Sequence, residues 1–168
     1  MGSVKSTDRG YNALLKRVFG FGRPQIAMGI LEADAQKEHE APEGADAKEH
    51  VTVLDVGTWN EFGTDTVPAR SFIRAWFDEA SPAMRTALTA LMKGVVAGTH
   101  TKEQILELLG QRGQGGIQKR IAQGIDPPNA PATVKAKGSS KPLINSGQLR
   151  QSVTYAVRES KGGGGEGA

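Results

Sequence analysis

The sequence predicts an α+β fold: a small antiparallel sheet packed against several helices, with a long proline-rich arm and a flexible Gly-rich C-terminal tail. Three observations predict it. Segments near both ends alternate with the two-residue period of strands, and the middle of the chain carries the period of helices. Four prolines, Pro127, Pro128, Pro131 and Pro142, then punctuate the stretch before the last strand. At 168 residues the chain suits one domain, since a single core stabilises roughly 100–200 residues. Residues 1–160 are expected to form that domain, with residues 34–49 as a mobile acidic loop, residues 125–147 as the extended arm and residues 161–168 as the tail.

From Asp8 to Phe19, the apolar residues Tyr11, Leu14, Leu15, Val18 and Phe19 fall on one helical face, with Asp8 as the cap. Gly20 and Gly22 stop this helix. Gln25 to Leu31 sets Ile26, Met28 and Ile30 against the small Ala27 and Gly29, which predicts a strand. The β-branched Val51, Thr52, Val53 and Val56 predict a second strand over about His50–Gly57, so that an early hairpin joins the last strand in one sheet.

From Ser71 the period becomes helical, with Phe72, Ile73, Trp76, Phe77 and Ala80 as a stripe and Arg74 and Asp78 outside it. Ser81 and Pro82 have the form of a cap followed by proline at the first helical position, so a new or bent helix is expected there. It should run to about Val96 and, having few charges, be well buried. Thr101 and Gln104 form a capping box for a further helix. Gly110, Gly113, Gly115 and Gly116 are expected to interrupt that helix before the pattern resumes over Ile117–Gln123. A short helical turn is expected around Ala132–Ala136. Val153, Tyr155 and Val157 then alternate with smaller residues as the last strand, and Lys161–Ala168 has nothing to bury.

Composition narrows the function classes. Hydrophobic residues make up 38% of the chain and charged residues 23%, which is ordinary globular usage and excludes wholesale disorder. The 22 glycines are about twice the share expected from an average near 7%, which implies much loop or turn backbone. There is no cysteine, so disulfides, thiolate metal sites and a cysteine nucleophile are excluded. That fits assembly in a reducing cytoplasm. Neither a signal peptide over Met1–Arg23 nor a membrane-spanning apolar run is present, so a soluble chain is expected.

Charge is distributed unevenly. From Glu32 to Glu49 seven acids face only Lys37 and Lys48, whereas from Arg112 to Arg150 seven bases face only Asp126. An acidic and a basic segment suit complementary surfaces of neighbouring subunits. Two ordinary solvated loops account for the same pattern.

Catalytic chemistry finds little support. His39, His50 and His100 have no companion ligand at zinc-type spacing, and exposed histidines explain them better than a weak surface site between His39 and His50. The glycine clusters lack the strand, helix and Lys-Ser/Thr context of a phosphate loop. Glu61 with Asp65, or Asp78 with Glu79, act as a catalytic pair only if their surroundings drive the two pKa values apart, and no serine stands in a nucleophile elbow. No enzyme activity, cofactor or metal is expected. The basic stretch Lys135–Lys141 supports a rival of another class, a small DNA-binding protein acting through Lys135, Lys137 and Lys141 by phosphate neutralisation. It lacks interleaved aromatics for base stacking.

Two blocks have a more specific character: VGTWNEFGTDTVPARSFIRAWFDE over Val56–Glu79 and PPNAPATVKAKGSSKPLINSGQLRQSVTY over Pro127–Tyr155. Together they resemble the neck, tail-completion and virion-morphogenesis proteins, minor tail components included, of long-tailed and Mu-like bacteriophages. The matching positions are Trp59, Glu61, Phe62, Gly63, Thr64, Pro68, Ala69, Arg70 and Phe72, then Pro127, Pro128, Pro131, Lys137, Gly138, Lys141, Pro142, Leu143, Ile144, Gly147, Leu149 and Arg150. Ser71 departs from the family's proline, and Asn145-Ser146 replace Asp-Thr. The resemblance implies a structural virion protein located at the head-proximal end of the tail. It would be a homo-oligomeric ring, hexameric by analogy, joining the tail tube or tail terminator to the head-side connector, with non-specific contact to packaged DNA and none to a membrane. A tail terminator or a minor tail protein is the nearest alternative. On physical grounds Trp59 and Phe62 are expected to anchor the strand end in the core, Gly63 to permit a turn, and Pro68 to lead into the helix. The arm, with little self-burial expected, needs a partner to offset its ordering entropy.

Overall fold

A computed structural model describes residues 10–20, 22–39, 50–131, 134, 135, 143 and 147–159. The architecture is α+β. Helix α1 (Tyr11–Phe19) leads into strand β1 (Pro24–Ile30), the short helix α2 (Glu32–Ala35) and helix α3 (Val53–Phe62). Two long helices, α4 (Arg74–Ala97) and α5 (Lys102–Gln123), precede the short α6 (Gln148–Gln151) and strand β2 (Val153–Glu159).

Strands β1 and β2 pair antiparallel from Pro24↔Glu159 to Ile30↔Val153, so the first and last strands close the fold. Alternation puts Ile26, Met28 and Ile30 on one face with Val157, Tyr155 and Val153, and α5 lies across that face. The predicted second strand is instead helix α3. Thr52 and Asp55 build a reciprocal capping box there: the Asp55 N–H donates to the Thr52 hydroxyl (3.2 Å) and the Thr52 N–H to the Asp55 carboxylate (2.9 Å). This cap outweighs the β-branched composition behind it. Only a trace of the predicted hairpin survives, a bridge between Glu38 and Thr52 with the His39 N–H donating to the Val51 carbonyl (2.8 Å).

Three expectations for the helices are corrected. Pro82 lies inside one continuous α4 and does not start a new helix. The exposed side of α4 carries both Pro82 and Asp78, so the Asp78 carbonyl that loses its donor faces water, and the Ser81 hydroxyl donates to the Phe77 carbonyl (2.5 Å). Nor is α4 well buried, since Leu88 and Val96 are exposed and only Trp76 and Val95 are buried. Finally, Gly110–Gly116 do not break α5. An added Cβ would meet the Tyr155 ring at Gly110, the Met28 sulfur at Gly113 and the Trp76 indole at Gly116, so these glycines let α5 approach the sheet and α4 closely. The Thr101–Gln104 capping box starts α5 as predicted.

The main core gathers Val53, Phe72, Trp76, Ile117, Ile121, Leu149 and Val153. Leu143 joins it at 8% exposure, so the arm is tied into the core at that residue. A second cluster of Val95, Ile105 and Leu109 fills the space between α4 and α5. The predicted Asp8 cap, most of the acidic loop and the glycine-rich tail lie outside the described residues. Within residues 132–136, Val134 donates to the Ala130 carbonyl (2.9 Å), one bond of helical type. No helix among the described residues is long and apolar enough to cross a membrane.

Candidate functional site

Helix α3 ends at Phe62 and its last turn organises the first block. Gly63 has φ 81°, and a Cβ there would stand 3.0 Å from the Ala69 nitrogen, so only glycine fits the turn. The Thr64 N–H then donates to the Val67 carbonyl (2.8 Å) and the Val67 N–H to the Thr64 hydroxyl (3.0 Å), folding the chain back on itself.

Glu61 faces inward at 6% exposure and caps the following helix. Its carboxylate accepts hydrogen bonds from the Ser71 hydroxyl (2.6 Å) and from the N–H groups of Phe72 (2.8 Å), Ile73 (3.0 Å) and Arg74 (2.9 Å). Burial pushes this carboxyl up, but the bonds from Ser71, Ile73, Arg74 and Phe72 outweigh it and hold the group below its ordinary range. Ser71 also accepts from the Ala75 N–H (3.1 Å). Its hydroxyl thus supplies a bond that a proline at this position would not.

Arg70 couples the first block to the second. Its N–H donates to the Asn60 carbonyl (2.5 Å), its Nε to the Pro127 carbonyl (2.7 Å) and its Nη2 to the Pro128 carbonyl (3.2 Å). Burial pushes the guanidinium pKa down. Around these bonds lies a cleft of about 430 Å³, walled by Val56, Trp59, Pro68, Pro127, Leu143 and Leu149. Pro128, Arg70 and Gly147 also reach it.

Trp59 and Phe62 do not anchor the core. Trp59 is 40% exposed and Phe62 is 66% exposed, with the Arg74 guanidinium 5.5 Å above the Phe62 ring. The reason is geometric: once residues 53–62 are helical, Val53, Gly57 and Glu61 take the inward face. Phe72 is fully buried as the first core residue before α4. Leu149 is buried on α6, Arg150 is exposed beside it, and Gly147 caps α6 with φ 84°. Lys137, Lys141, Pro142 and Ile144 lie outside the described residues.

Sequence reasoning missed two participants, Asn60 and Gln148, and read a third, His39, as exposed although it is half-buried. Asn60 lines the cleft and bonds the Val56 carbonyl (2.8 Å), Gln148 donates to the Glu38 carbonyl (2.7 Å), and His39 reaches the same cleft. All are polar side chains without a motif of their own, so only the fold brings them together. His50 bonds the exposed Glu38 (2.7 Å), and no group of three potential metal ligands occurs among the described residues. The bases of the second half are also split: Arg120 on α5 pairs with Glu79 (2.6 Å), while Arg112 and Lys119 are exposed on the same helix. Compared with protein-family models, curated proteins and solved structures, the chain shows no match.

Proposed function

We propose that the chain is a structural subunit of a tailed-phage particle, a neck or tail-completion ring that joins the tail tube to the head-side connector during assembly. The observation that carries this reading is the joining of the two family-like blocks through Arg70 and the carbonyls of Pro127 and Pro128. Blocks distant in sequence thereby line one cleft, as parts of a single binding face would.

Support also comes from Trp59 and Phe62. Large aromatics left exposed beside a rigid cap are the side chains that most often dominate protein interfaces. In this reading the chain acts by binding alone, with a heterologous contact repeated around a closed ring, hexameric by analogy. Exposed bases such as Arg112 and Lys119 are available for non-specific contact with packaged DNA.

A double substitution, Trp59→Ser with Phe62→Ser, tests this reading by complementation. Each exposed aromatic is expected to contribute roughly 2 kcal/mol to the interface, so heads and tails should accumulate unjoined while the thermal midpoint of the isolated protein changes little. Normal yields of joined particles would exclude these two side chains from the joining surface.

A further inference from the structure

The cleft between the two blocks contains a buried cation that has no counter-ion among the described residues. Arg70 is 7% exposed, and the described residues that line the cleft with it include neither Asp, Glu nor Lys. None of the ion pairs among the described residues involves it. A guanidinium has five N–H donors, of which Nε and one Nη2 hydrogen are used by Pro127 and Pro128. Those two bonds occupy the edge between Nε and Nη2. The edge formed by Nη1 and Nη2 has no acceptor among the described residues.

Carbonyl dipoles solvate a buried charge but do not neutralise it, so a site of this kind gains most from an anion. The planar fork matches the two oxygens of a carboxylate. The rest of the cleft sets the size and character of what carries that carboxylate. At about 430 Å³, walled by Trp59, Pro68, Pro127 and Leu149, it has more apolar wall than a free carboxylate ion covers. A nucleic-acid backbone is a poorer fit, because tracking phosphates takes several bases in a groove, and among the described residues this one holds a single arginine with His39 as its other titratable group.

We propose that this cleft binds an acidic peptide segment of a protein partner, with Arg70 gripping one Asp or Glu carboxylate and Trp59 and the prolines covering small apolar residues on either side. Aromatic and proline walls favour an extended backbone, which loses little entropy on docking. The inference goes beyond the neck-ring reading and stands on the cleft alone.

The test uses the full chain and the blocked peptide acetyl-Ala-Pro-Glu-Ala-amide, in which Glu is the only charge. Calorimetric titration should give saturable binding, and the indole resonance of Trp59 should shift with the same midpoint. The same peptide with Gln in place of Glu should bind about ten-fold more weakly, the usual worth of one charge-assisted hydrogen bond. This comparison leaves the protein unchanged, which matters because Arg70→Lys also loosens the arm; that variant should lose peptide binding by a similar factor. Equal binding of the Glu and Gln peptides would overturn the proposal, as would the absence of saturable binding. Acetate binding as tightly as the peptide would overturn the peptide component and leave a simple ion site.

Discussion

Glu61 illustrates how one side chain can hold two elements in register. Helix α4 starts at Arg74 with Ile73 as its N-cap residue, which offers no side-chain cap of its own. The missing acceptor comes from the last turn of α3, where the Glu61 carboxylate collects three consecutive N–H groups and a hydroxyl. Glu61→Gln replaces one acceptor oxygen by a donor that faces N–H groups, and should destabilise the fold by about 2 kcal/mol at neutral pH in urea unfolding. The pH dependence follows from the sign of the shift. Because the folded-state pKa lies below the ordinary 4.5, the contribution is complete above that value and is lost as pH falls through the folded pKa. The gap between wild type and Glu61→Gln should therefore narrow in acid; a gap unchanged from pH 7 to pH 3 would show that the charge contributes nothing.

At the scale of elements, the glycines of α5 behave differently according to what each faces. Gly115 faces open space, so Gly115→Ala should stabilise the helix by about 0.5–1 kcal/mol through propensity alone. Gly116 lies against the indole of the buried Trp76, a rigid ring that cannot swing aside, so Gly116→Ala should cost about 1–3 kcal/mol. Thermal unfolding of the two variants gives shifts of opposite sign, and equal shifts would refute the close-packing account. This contrast also explains what the sequence disclosed about the helices. The Thr101–Gln104 box announced α5 because Ser/Thr-x-x-Glu/Gln is a local signal, while Gly110, Gly113 and Gly116 looked like a stop because their reason for being small is a contact with strand or helix residues distant in sequence. Thr52 and Asp55 form the same kind of box, but the valines around them gave the stretch a strand-like composition that capping then overrode. Of the two expectations at Pro82, a new or a bent helix, the new start fails for a related reason: a proline inside a helix is tolerated where the orphaned carbonyl faces solvent, and exposure cannot be read from a dipeptide.

At the scale of the molecule, closure of the first strand on the last makes the fold depend on both ends of the described chain. Ile26, Met28 and Tyr155 provide the floor on which α5 rests, and their alternation was visible in the sequence. The candidate site was legible in part: Arg70, Pro127, Pro128, Leu143, Gly147 and Leu149 belong to two separated motifs, and all of them line one cleft. The outward placement of Trp59 and Phe62 was not legible, because it follows from α3 being a helix whose inward face is Val53, Gly57 and Glu61. Aromatics expected to stabilise the core are thus left available to a partner. The most direct test of the proposed role is cryo-electron microscopy of the tailed-phage particle in which the proposal places this chain. The account predicts density for it in a closed ring between the portal and the first tail-tube ring, with Trp59 and Phe62 at a subunit or ring boundary. A neck fully occupied by other chains, with none of this chain's density in it, would contradict the account.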